Sequence, residues 1–287
     1  MSSPARFTVW LLIALFVGQT CALGQGRKKR EITPARLEKL IRAATQGSPV
    51  VRPQAAQRLM KMGPVAHSAV LEHIASKTDL FAVGPELLEV AATLALPGEA
   101  RTAALRVQFW KQVAQRDFPW RAALVSGLGK NPQAGEQDRF VELLGDRMLA
   151  VRLAALRRFS VGDSEDLLPI LQARLLVETE GVARRALARR AVEAGHAQSL
   201  WVLFGELSRN DYFFDQPVGL IARLEAARDL KVLLPEGPAF DAQAPVDSES
   251  SVAQRAAWLA YLQPLAGLRQ VSPEVRVQPA GEPLIGL

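Results

Sequence analysis

The chain has 287 residues, enough for one large domain or two ordinary ones, and carries a formal net charge of +6. Hydrophobic residues make up 49% and charged residues 22%, which excludes a disordered or low-complexity chain. The single Cys excludes a disulfide scaffold, a CxxC redox motif and a thiolate zinc cage. The apolar content is mostly Ala and Leu, with seven Ile and two Tyr, a balance that favours helix over strand. An all-α protein is expected.

At the N-terminus, Arg6 precedes a twelve-residue apolar run from Phe7 to Gly18. This is the length of a signal-peptide core and short for a spanning helix. Small residues follow at cleavage spacing, Thr20 and Ala22 or Ala22 and Gly24, so residues 1–24 read as a signal peptide. That address is extracytoplasmic, either periplasmic or secreted. Cleavage would remove Cys21 and leave no thiol in the mature chain; Gly18-Gln19-Thr20 before it does not suit a lipobox. Left uncleaved and extended to Leu23, the same run would anchor the protein at a membrane. Arg27-Lys28-Lys29-Arg30 oppose translocation, and also fit a nuclear signal, a processing site or a polyanion-binding arm. Residues 25–32 are read as a solvated basic segment.

From there on, one pattern recurs: an acid or amide, an Arg six residues later, then Ala or Leu close behind. It occurs from Gln46 to Arg52, Gln115 to Arg121, Asp146 to Arg152, Glu178 to Arg184 and Glu249 to Arg255. The step is 31 residues from Arg121 to Arg152 and 32 from Arg152 to Arg184. The gaps of 69 before Arg121 and 71 after Arg184 each leave room for two units, with degenerate copies opening near Pro85 and Pro217. Each unit carries apolar residues at helical spacing, such as Val151, Ala155 and Phe159. A second amphipathic helix follows, as in Ala66 to Ile74, Asp166 to Leu176 and Gln198 to Leu207. Gly63-Pro64, Pro97-Gly98, Asn131-Pro132 and Gly162 punctuate the joins. Two helices in about 33 residues is a helix hairpin, which buries its apolar stripe only by stacking on neighbours.

Asp146 to Arg152 followed by Leu153-Ala154-Ala155 resembles the short bacterial HEAT repeat, the form also found in phycobilisome-lyase-like proteins. The resemblance runs from about Ser48 to Leu262. Gln46 and Gln115 depart from its usual acid, and the units near Pro85 and Pro217 lack its Val-Arg. Phe240-Asp241 followed by Trp258-Leu259-Ala260-Tyr261 is similar to a closing segment of some exported HEAT proteins. The resemblance implies an α-solenoid of about six to seven stacked helix hairpins, a HEAT-like superhelix over residues 33–268. Residues 269–287 read as a disordered Pro-rich tail. A TPR array would need a 34-residue period with its Trp, Gly, Tyr and Pro signature, which is missing.

The resemblance also implies a structural ladder along the stack, with Asp146, Arg152, Glu178 and Arg184 as its members. Such a carboxylate caps a helix start and pairs with an Arg fork of a neighbouring unit. Arginines concentrate on two successive units, where Arg157, Arg158, Arg185, Arg189 and Arg190 make a candidate partner-binding surface, Arg158, Arg185 and Arg189 foremost. Its partner is expected to be a protein, with an acidic one best matched. Nucleic acid is disfavoured because no aromatic residues interleave with the arginines. Trp201 and Phe204 are three apart and fit one buried helix face, and Tyr212 to Phe214 fall in a connection.

Chemistry is sparse in this chain. His67 and His73 are six apart and do not share a helix face, and His196 is remote from both. HExxH, GxSxG and GxxxxGK[ST] motifs are absent, and Gly127-Leu128-Gly129-Lys130 closes a helix instead of opening one. No catalytic, metal-binding or cofactor-binding residue is nominated. The expectation is a non-catalytic protein–protein interaction scaffold outside the cytoplasm, contacting partners along concave, Arg-rich helices. The alternatives are a membrane-tethered accessory subunit, if the N-terminal segment is uncleaved, and a polyanion-binding module.

Overall fold

Thr33 opens the first helix. Its side-chain oxygen accepts the Arg36 N–H at 3.4 Å, and Pro34 takes the first helical position, where its missing N–H costs nothing. The computed structural model describes residues 33–77, 79–95, 100–159, 164–210 and 218–267. The segments read as a signal peptide, a basic segment and a Pro-rich tail lie outside the described residues, as do Pro97-Gly98, Gly162, Tyr212 to Phe214 and Pro217. Among the described residues 73% are helical, in thirteen α-helices with no strand, which establishes an all-α protein.

The helices are α1 (Pro34–Gln46), α2 (Val51–Lys61), α3 (Pro64–Ala75), α4 (Pro85–Leu94), α5 (Ala100–Ala114), α6 (Arg121–Lys130) and α7 (Gln137–Leu143). They continue with α8 (Leu149–Arg158), α9 (Ser164–Val177), α10 (Gly181–Glu193), α11 (Leu200–Glu206), α12 (Val218–Leu233) and α13 (Glu249–Ala266). The chain divides into two compact units, Met1–Ala91 and Ala92–Leu287, and the division falls within α4.

In the first unit, α1 and α2 form an αα-hairpin through a short turn, and α3 packs on both. Leu37, Ile41 and Ala44 of α1 and Ala55 and Leu59 of α2 are all buried. Gly63 breaks the chain between α2 and α3 at φ 84°, a left-handed value that glycine adopts without strain, and Pro64 then starts α3.

In the second unit, helices pack largely with their sequence neighbours, and alternate helices also touch: α6 with α8, α8 with α10, and α10 with α12. Gly129, in the last turn of α6, explains one close approach. A Cβ there would lie 3.1 Å from the Arg158 Cβ and 3.5 Å from the Phe140 ring. The Gly127-Leu128-Gly129-Lys130 run is therefore a packing surface of a helix end. Near the C-terminal end, Trp201 and Phe204 sit edge to face at 5.8 Å in a core with Leu203, Leu230, Trp258 and Leu262. Phe240 and Tyr261 pack against the same core.

Candidate functional site

Four alternate helices of the second unit, packed in a row, each bury an arginine near their start: Arg121 on α6, Arg152 on α8, Arg185 on α10 and Arg223 on α12. A buried guanidinium needs acceptors for its fork of N–H groups, and the acceptors differ along the row. Arg121 pairs with Asp146 and donates from Nε to the Val113 carbonyl at 2.7 Å. Arg152 donates to the Asp146 carbonyl at 2.9 Å and to Glu178 Oε1 at 3.1 Å. Among the described residues Arg223 donates to the main-chain oxygens of Arg209 and Ala242, at 2.8 and 3.1 Å.

Asp146 and Glu178 occupy matching places. Each stands two residues before an N-cap and accepts that residue's N–H, Met148 at 2.9 Å and Glu180 at 3.0 Å. Burial works against ionising Asp146, but the Arg121 hydrogen bond and the Met148 N–H outweigh it and hold the carboxyl below its ordinary range. For Glu178 burial is likewise outweighed, by the Glu180 N–H and by Arg152 and Arg174.

The sequence reading missed a third pair. Arg106 on α5 and Glu136, the N-cap of α7, are bound through both carboxylate oxygens, with Trp110 Nε1 donating to Glu136 at 2.6 Å. Again burial is outweighed, chiefly by Arg106 and the Gln133 N–H, and the pKa falls. Their separation of 30 residues resembles the other pairs, but neither belongs to a six-residue motif. In the first unit Arg52 of α2 lies 3.5 Å from Glu86 of α4 in a less buried version.

Arg184 corrects the expected ladder. It is exposed and, among the described residues, makes no ion pair. The buried arginine of α10 is its neighbour Arg185, which pairs with Glu225 and lies 3.9 Å from Asp229, both within α12. The acids facing α10 stand in the body of a helix instead of before its start, so the arginine that meets them is one position later.

Arg185 corrects the binding surface as well. With 6% of its surface exposed it is largely buried, and its guanidinium is engaged by acids within the protein. Burial lowers its pKa, with the Glu206 and Asp229 charges pulling the other way. Arg189 donates to Asp229 at 2.7 Å and to Glu193 at 3.1 Å. The Glu193 hydrogen bond is the main cause of its raised pKa. Arg190 donates to Glu193 at 2.7 Å. Arg158 is spent on packing: its guanidinium lies 5.8 Å from the Phe140 ring and 5.4 Å from the Phe159 ring.

Arg157, Arg185, Arg189 and Arg190 do line one groove of about 420 Å³ across α8, α10 and α12, together with Arg228, which sequence reasoning missed. Arg158 does not line it. Five arginines face three carboxylates there, so the formal charge is +2. That surplus resides on Arg157 and Arg228, both exposed and, among the described residues, outside any ion pair. Leu153, Val182 and Ala186 supply apolar surface between them. The arrangement suits a segment that is acidic at its edges and apolar at its centre.

His67 Nε2 lies 3.2 Å from the Met60 carbonyl, and His196 Nδ1 lies 2.8 Å from Ser199 Oγ. Among the described residues no group of three or more His, Cys, Asp or Glu is placed to hold a metal ion. No described helix is long and apolar enough to cross a membrane. Comparison with known proteins finds no matching family model, no matching curated protein and no matching solved structure.

Proposed function

We propose that this chain is a non-catalytic scaffold for protein–protein interaction, built on HEAT-like stacked helix hairpins and acting outside the cytoplasm. The observation that carries the binding role is the groove of α8, α10 and α12, where Arg157 and Arg228 stand exposed beside apolar surface and, among the described residues, outside any ion pair. A partner segment carrying carboxylates satisfies both cations and covers the apolar floor. The stacked reading is supported by the contacts of α6, α8, α10 and α12 in chain order and by the arginine each buries near its start. The extracytoplasmic address rests on the Phe7 to Gly18 run and the small residues after it.

The test is affinity capture from the host's extracytoplasmic fraction, with wild-type protein beside an Arg157→Glu/Arg228→Glu variant. A partner held by the first and lost by the second, with helical circular dichroism unchanged, supports the groove. Equal capture by both removes it as the interface. N-terminal sequencing of the native protein addresses the location: a chain beginning at Leu23 or Gln25 is processed, and one beginning at Met1 is tethered.

A further inference from the structure

The first helix hairpin has its own unbalanced surface. Helices α1 and α2 carry six cations, Arg36, Lys39, Arg42, Arg52, Arg58 and Lys61, against one acid, Glu38. Two of the six have acidic partners: Arg42 pairs with Glu38 at 2.9 Å, and Arg52 lies beside Glu86. The other four, Arg36, Lys39, Arg58 and Lys61, all line one hollow of about 560 Å³ between the two helices, and no acid lines it. All four are exposed, and among the described residues none makes an ion pair.

Helical spacing places them together. Arg36, Lys39, Leu40 and Ala43 follow an i, i+3, i+4, i+7 stripe on α1, and Val51, Gln54, Ala55 and Arg58 follow the same stripe on α2. The hairpin runs antiparallel, so the start of α1 lies beside the end of α2. The four charges gather at the end away from the turn. Leu40, Ala43, Ala55 and Met62 form the floor, half-buried or buried. Four like charges with no counter-charge repel one another, and α1 has no acid in its first turn to meet its dipole. An anionic occupant relieves both costs.

We propose that this hollow is a second docking site, for an acidic amphipathic helix of a partner protein. Each stripe spans about 10 Å at 1.5 Å per residue, and Lys61 and Met62 extend the lining along α2 to about 16 Å, the length of about three turns of a partner helix. Leucine-like side chains at i, i+3 and i+7 of the partner reach the floor, and Glu or Asp beside them meet the cations. A lipid surface fits less well, because a flat headgroup layer cannot reach a recessed floor and no aromatic residue projects from this one. The site lies in the first unit and does not depend on the groove of Arg157 and Arg228.

The experiment titrates the purified full chain into a fluorescein-labelled, helix-stapled peptide of about four turns, with Leu on one face and Glu flanking it, and reads anisotropy. Saturable binding is expected that weakens with salt and drops about tenfold or more in a Lys39→Glu/Arg58→Glu variant. It stays unchanged in Arg157→Glu/Arg228→Glu. Lys39 and Arg58 are exposed on helix surfaces and leave the fold intact, which circular dichroism verifies. No saturation by about 1 mM protein overturns the proposal. So does equal binding by Lys39→Glu/Arg58→Glu, or equal binding of a peptide with the same composition but no apolar face. Binding to phosphatidylglycerol vesicles with no binding of the peptide overturns it in favour of a lipid surface.

Discussion

Arg152 reaches Glu178 Oε1 at 3.1 Å with one guanidinium nitrogen while another holds the main-chain oxygen of Asp146 at 2.9 Å. One side chain therefore ties the start of its own helix α8, six residues back, to the start of α10, 26 residues ahead. Both charged groups are nearly out of solvent, with 9% and 2% of their side chains exposed. Removing one partner leaves the other charge buried and unpaired, the expensive way to break such a pair.

Glu178→Ala is therefore expected to destabilise the second unit by about 3–5 kcal/mol. Arg184→Ala, six residues further on and exposed, is expected to change stability by less than about 0.5 kcal/mol. Urea denaturation followed by circular dichroism compares the two. Similar losses would mean that Arg184, not Arg185, belongs to the buried row.

Acid should act through the same groups. Glu136, Asp146 and Glu178 all have folded-state pKa values below their ordinary 4.5, 3.8 and 4.5. In that window the unfolded chain binds more protons, so stability rises with pH. Their contribution is complete above the ordinary values and is lost as pH falls through them toward the lowered folded values. Melting temperature should thus be flat near neutrality and fall steeply below about pH 5. Glu178→Gln, already without one charge, should start lower at neutral pH and fall less steeply. Parallel curves for both proteins would count against the linkage.

The all-α class was legible because Ala and Leu dominate and apolar spacing follows the helical period, and thirteen helices among the described residues answer to it. The Asp146 and Arg152 motif was legible because the acid and its Arg bracket one helix start. Arg106 with Glu136, and Arg185 with Asp229, were not. Their partners sit 30 and 44 residues apart in ordinary helical text, where an acid four residues from another, as in Glu225 and Asp229, reads as a solvated face. The same blindness made the arginine-rich segment look more basic than it is, since Glu193, Glu225 and Asp229 neutralise Arg185, Arg189 and Arg190.

Neighbours Arg157 and Arg158 should separate binding from stability. Arg158 lies against two aromatic rings, and its truncation to Ala is expected to cost about 1 kcal/mol while leaving partner capture unchanged. Arg157 lines the groove and is exposed, so Arg157→Ala should weaken capture with no measurable change in melting temperature. A reversed pattern would move the interface to the Phe140 side of α8.

Gly237 and Trp258 give a test of packing with no charge involved. Gly237 follows α12, and a Cβ there would fall 2.9 Å from Trp258 Cζ3, closer still to its Cη2, and 3.1 Å from the Leu234 carbonyl. The ring cannot step aside cheaply, because Trp258 is 1% exposed and packed with Leu203, Leu230 and Leu262. Lys231 fixes the loop from the other side by donating to the Gly237 carbonyl at 3.1 Å. Gly237→Ala is accordingly expected to destabilise the protein by about 1–3 kcal/mol through overpacking, although it adds one methyl group. Gly195→Ala is the contrasting case: no heavy atom lies within 4 Å of its Cβ, so only its φ of 98° opposes the substitution. Thermal melts should then respond to Trp258→Phe in the Gly237→Ala background, since a smaller ring returns the space, and show no such rescue for Gly195→Ala.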